Sequence, residues 1–134
     1  MVYRNYKTDP LFGSTMNCVK FSEIGPEDNG AYPIQFQSGS DKINATVTLQ
    51  SSLFYTTKNV LNILVEGEWF PVQAYSAYKD VKECDVLRLP YANLGACALF
   101  VPESKLGKNT TCCDFIFDLL CGTTPKYYVN NENC

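Results

Sequence analysis

Histidine is absent from the 134 residues. That removes the side chain most often used near neutral pH as a general base or metal ligand. Without it no Ser–His or Cys–His nucleophile pair can be assembled. A Gly-rich phosphate loop is missing as well. These absences argue against an enzyme, and no cofactor or metal is expected. No apolar run approaches the roughly 18 to 20 residues of a membrane span. The opening Met1-Val2-Tyr3-Arg4-Asn5-Tyr6 lacks the apolar stretch of a secretory signal. Charge is scarce too. Charged residues make up 19 % and the net charge is −3, too mild a balance to indicate nucleic acid or an acidic membrane as partner.

Cysteine, by contrast, is plentiful. Seven are present, at Cys18, Cys84, Cys97, Cys112, Cys113, Cys121 and Cys134. Such a density indicates an oxidising compartment and a stapled fold. Two glycosylation sequons, Asn44-Ala45-Thr46 and Asn109-Thr110-Thr111, agree with secretion. A secretory signal would then lie upstream of this sequence. A zinc site in Cys112-Cys113 with Cys121 is a remote alternative, lacking histidine and Cys-x-x-Cys spacing. The length and the 46 % hydrophobic content fit one globular domain over residues 1–134 with a core of its own.

Tyr, Val, Thr, Phe and Ile recur in short alternating stretches punctuated by turn clusters, which predicts strands over 1–7, 16–24, 31–37, 43–55, 60–65, 69–78, 84–89 and 96–101. Tyr32, Ile34 and Phe36 share one face of the third; Ile43, Ala45, Val47 and Leu49 share one face of the fourth. The period changes near the end. Phe115, Phe117, Leu119 and Leu120, between Cys113 and Cys121, predict a short helix stopped by Gly122. Tyr127-Tyr128-Val129 suits a short closing strand. An all-β chain of about eight antiparallel strands folds as a sandwich or a closed barrel. Short hairpin connections favour an eight-stranded barrel with a short C-terminal α-helix, large enough to hold one small ligand.

Particular motifs carry a resemblance. Tyr6-Lys7-Thr8-Asp9-Pro10-Leu11-Phe12-Gly13 is followed by Asn17-Cys18-Val19, and Ala74-Tyr75-Ser76 by Cys84-Asp85-Val86. Ala98-Leu99-Phe100 and Cys112-Cys113 come after. This order resembles tick salivary lipocalins of the histamine-binding family. That family's amine-binding signature is Cys-Asp-aliphatic, Glu-Leu-aromatic, then Cys. The resemblance implies a lipocalin barrel secreted in saliva that captures host mediators such as histamine, serotonin or leukotrienes. It sets Met1 inside the family's first strand, so an N-terminal segment with a short helix would precede this sequence. It pairs Cys18 with Cys134 and Cys84 with Cys113. Cys97 and Cys121 are candidates for a third bridge, and Cys112 is left over. In some relatives a cysteine at its position pairs upstream of the first strand.

An ammonium ion inside a barrel needs a carboxylate, because desolvating it unpaired costs several kcal/mol. Aromatic faces add about 0.5–2 kcal/mol each. The resemblance sets Tyr6, Asp9, Phe12 and Asp85 at ligand-contact positions, with Phe12 where the family often has Trp. Phe100 is the aromatic of the signature, and Phe70 is expected to face the cavity with Trp69 outside or at the rim. Each has a plain structural reading beside this one: Asp9 as a turn residue before Pro10, Asp85 as solvent-facing, the aromatics as core. The family glutamate is Ala98 here, and Val60, Leu61, Asn62 and Ile63 stand where the histamine binders carry rings. An aliphatic pocket with one anion fewer leaves two ligand classes. One is a biogenic amine on Asp9 and Asp85. The other is a lipid mediator, a leukotriene or fatty acid, whose carboxylate would meet Arg4, Lys20 or Arg88. A third role is capture of a host plasma protein through the loops. A monomer is expected.

Overall fold

A computed structural model of the chain describes residues 1–13, 15–131 and 133–134. Nine strands form one antiparallel sheet: β1 (Tyr3–Arg4), β2 (Lys20–Glu23), β3 (Ala31–Ser38), β4 (Asp41–Gln50), β5 (Val60–Val65), β6 (Val72–Asp80), β7 (Cys84–Arg88), β8 (Cys97–Phe100) and β9 (Tyr127–Tyr128). One 3₁₀ turn (Glu103–Lys105) and one helix, α1 (Thr111–Cys121), follow β8. The strand order is β2-β3-β4-β5-β6-β7-β8-β1-β9. Consecutive strands from β2 to β8 are neighbours, and β1 returns to lie between β8 and β9.

The sheet curls into a half-barrel. Among the described residues no ladder joins its edges, β2 and β9. They are tied beside the ladders instead. Cys18 is disulfide-bonded to Cys134. Asn130 bonds both backbone groups of Val19, accepting from its N–H at 2.6 Å and donating to its carbonyl at 2.8 Å. The expected eight strands are therefore nine, with Tyr127–Tyr128 as the ninth.

Alternation builds two cores, one on each face. Ala45 and Val47 of β4, Ile34 of β3, Ile63 of β5 and Leu87 of β7 point into the curl. Tyr3, Val86 and Leu99 point outward and are covered by α1. Helix and sheet meet through Cys113 and Phe117, four residues apart and so on one helical face. The Tyr3 and Phe117 rings lie edge to face at 4.9 Å. Disulfides Cys84–Cys113 and Cys97–Cys121 fasten α1 to β7 and β8, each worth about 2–4 kcal/mol. Their sulfurs are thus committed, which leaves Cys112 as the one free thiol among the described residues. Gly122 closes the helix with φ 83°, its N–H donating to the Asp118 carbonyl at 3.0 Å.

Several boundaries differ from the alternation pattern for local reasons. Cys18 has φ 49°, which breaks extended backbone, so β2 starts only at Lys20. Asp9 and Gly13 exchange backbone hydrogen bonds at 3.0 and 2.6 Å, a turn that takes the chain out of the sheet after β1. A register shift between Ser76 and Tyr78 lets β6 run on to Asp80, past the expected end at Tyr78.

Candidate functional site

Among the described residues, two hollows border the curl. The inner one is about 40 Å³ and apolar, bordered by Phe12, Phe36, Leu61, Ile63, Leu87 and Phe100 among others. The outer one is about 680 Å³, between edge strand β2, the ends of β6 to β8 and the 3₁₀ turn. Asp85 and Phe100 line it, with Phe21, Lys20, Lys79, Asp80 and Glu103.

Asp85 reaches this cavity because β7 alternates: Cys84 and Val86 face the helix, while Asp85 and Leu87 face the curl. It is half-buried and accepts a hydrogen bond from Ser76 Oγ at 3.1 Å. Its cross-strand partners are Lys79 on β6 and Phe100 on β8. Burial raises its pKa above the usual carboxylate value, partly offset by the Ser76 hydrogen bond and the charge of Lys79. Among the described residues no ion pair holds it. The site is therefore a partly desolvated carboxylate beside an aromatic ring in an open space.

Asp9 is arranged differently. It is 1 % exposed. One carboxylate oxygen accepts from Tyr6 Oη at 2.8 Å and Tyr91 Oη at 3.3 Å. The other accepts from the backbone N–H of Leu11 at 2.7 Å and of Phe12 at 3.4 Å. Burial, and then the Asp9 charge, push both phenols well above their ordinary pKa, so they remain donors. Tyr91 was not among the sequence candidates. It sits in the β7–β8 loop after Pro90, outside any alternation that would aim it at Asp9.

The other candidates divide. Phe12 borders the inner hollow and packs edge to face on Phe36 at 5.8 Å. Phe70, expected to face the cavity, is 84 % exposed. It precedes Pro71 in the connection before β6, which starts only at Val72, so strand alternation does not reach it. Arg88, a candidate for an acid head group, is on the helix side, its Nη2 donating to the Leu120 carbonyl at 2.9 Å. It satisfies a helix-end carbonyl rather than a ligand. Arg4 is buried opposite Ala98, its guanidinium 5.2 Å from the Tyr6 ring centroid. Lys20 lines the outer cavity. Phe21, which borders both hollows, was also missed, although Val19 and Phe21 alternate with Lys20 and Ser22.

A curled antiparallel sheet around an apolar interior, with a charged cavity at its open side, is a half-barrel with the architecture of a small-ligand binder. The tick histamine-binding protein family matches residues 1–134, and the chain belongs to that family. A male-specific histamine-binding salivary protein of Rhipicephalus appendiculatus is 27 % identical over 119 residues. The match takes in 81 % of this chain and 58 % of that relative, so the chain spans a little over half the relative's length.

Proposed function

We propose that residues 1–134 act as a single secreted barrel domain that takes up a biogenic amine, such as histamine or serotonin, with Asp85 as counter-ion. The observation that carries this reading is the half-buried Asp85 carboxylate, outside any ion pair among the described residues, facing a 680 Å³ cavity beside Phe100. An ammonium group there gains a charge partner that offsets part of its lost hydration, and the Phe100 face adds cation–π attraction. The relative's name, a histamine-binding salivary protein, supports the same ligand class. Ala98 supplies no second anion, which leaves Asp80 and Glu103 as the other carboxylates on the cavity wall. Asp9, sealed by four donors, serves as a second position only if its tyrosines turn aside. The role is sequestration rather than catalysis: the amine is held away from host receptors at the bite.

Three disulfides and exposed sequon asparagines fit passage through a secretory compartment. Asn109 accepts from the N–H and hydroxyl of Thr111 at 2.8 and 2.6 Å. Asn44 lies on the outer side of β4 and accepts from Gln35 Nε2 at 2.9 Å. Both are candidate glycan attachment points.

Calorimetric titration of the oxidised protein with histamine and serotonin tests the reading. Asp85→Asn is expected to weaken amine binding about tenfold or more. Lys20 and Lys79 line the same cavity and favour one rival, a lipid mediator with an acid head group. That rival gives the opposite sign: Asp85→Asn would tighten leukotriene or fatty-acid binding.

A further inference from the structure

The two hollows share a wall. Phe21 on β2 and Phe100 on β8 lie edge to face, centroids 5.3 Å apart and planes at 70°, and both rings border both spaces. Beyond them the inner lining is aliphatic and aromatic, with Val47, Leu61, Ile63 and Leu87. On the outer side stand Lys20, Lys79, Asp80, Glu103 and Gln37.

Met1 and Val19 also border both spaces and are buried, whereas the two rings are held unequally. Phe100 belongs to β8, which is paired on both sides. Phe21 belongs to β2, which pairs only with β3, and it remains 46 % exposed. Its ring partners are Phe100 and, at 6.0 Å, Phe36. A half-exposed phenylalanine on a sheet edge contributes less core burial than an inward residue. What it does is separate the polar cavity from the apolar one. Phe100 is also the direct cross-strand partner of Asp85, so an ammonium on that carboxylate arrives against this wall.

We propose that Phe21 determines the class of amine accepted, which rests on the reading that the ammonium pairs with Asp85. With the ring in place the site takes a compact aromatic amine, its ring against Phe21 and Phe100. Amines with a long flexible alkyl tail are disfavoured. Their tail would have to lie among charged and amide groups, because the space behind the wall is only about 40 Å³, room for a few waters at about 10–15 Å³ each. Removing the Phe21 ring joins the aliphatic lining to the outer cavity and opens the interior to the tail.

The test is calorimetric titration of the oxidised wild type, Phe21→Ala and Phe21→Trp with serotonin, octylamine and 1-octanol, with Asp85→Asn in parallel. Wild type is expected to prefer serotonin to octylamine. Phe21→Ala is expected to gain octylamine affinity about tenfold, the effect of moving about two methylenes out of water. It should lose serotonin affinity about threefold with the missing ring contact. Phe21→Trp keeps the wall and should keep the wild-type preference, so it carries the comparison should the alanine variant fold poorly. Equal binding of octylamine and serotonin by wild type overturns the proposal. So does octylamine binding that depends on Asp85 and ignores Phe21, an outcome that leaves the amine reading intact. Octanol gaining on Phe21→Ala while Asp85→Asn changes nothing retains Phe21 as the partition and overturns the amine reading.

Discussion

Asp9 and Asp85 both point into the curled sheet, yet they do opposite things. Asp9 is enclosed, with two phenols and two backbone N–H groups meeting its oxygens. Asp85 has one protein hydrogen bond and open space in front of it. A buried carboxylate with all its acceptor sites engaged holds structure together, and one left partly unsatisfied at a cavity is available to a ligand. The position of a carboxylate inside a barrel is therefore less telling than how many donors the protein itself supplies.

The largest break in this comparison comes from Asp9. Asp9→Ala leaves the buried Tyr6 and the half-buried Tyr91 with unmet hydroxyls and frees the turn that ends β1. A loss of about 2–4 kcal/mol is expected, read as a lower urea midpoint under oxidising conditions. Asp85→Asn removes no comparable network and should shift that midpoint little.

A pH series separates the two ends next. The folded pKa of Asp85 is raised, so its proton is held more tightly in the folded state. Its contribution to stability is fully present below the unfolded carboxylate pKa and is lost as pH rises through the folded value. Amine binding runs the other way: it weakens as pH falls through that same raised pKa, because a neutral carboxyl offers no counter-charge. Calorimetry from pH 7 downward should show this fall in wild type, and Asp85→Asn should abolish it. The Tyr6 and Tyr91 phenols, also raised, keep their stability contribution up to the ordinary phenol pKa and lose it as pH rises further. A midpoint that drops in alkali, and drops less in Tyr91→Phe, would locate that loss at Asp9.

The smallest effect sharpens the comparison from the Asp85 side. Ser76→Ala removes the donor that orients the carboxylate. A two- to fivefold loss of amine affinity is expected at about 0.5–1 kcal/mol, with the pH midpoint for binding moving upward because a bond to the charged form has gone.

How much of this was legible beforehand depended on range. Alternation in β3 and β4 set which residues face the curl, and the change of period at Cys113, with Gly122 as stop, marked α1. Those are local signals. The early break before β2 was hidden because nothing in the sequence marks a cysteine for a left-handed backbone. The bulge between Ser76 and Tyr78 shifted the end of β6 without changing composition. Phe70 looked like a strand residue until Pro71 set the start of β6 beyond it. Tyr91 meets Asp9 across a separation of 82 residues from a loop, and one sequence without a motif gives no hint of such a pairing.

The bond between Cys18 and Cys134 spans 116 positions, which makes most of the polypeptide a covalent ring. A single proteolytic cut at an exposed connection such as Leu53-Phe54-Tyr55 opens that ring but releases no fragment. Nicked protein should run as one species until it is reduced, and its two halves remain within reach of each other to reassemble around whatever they hold.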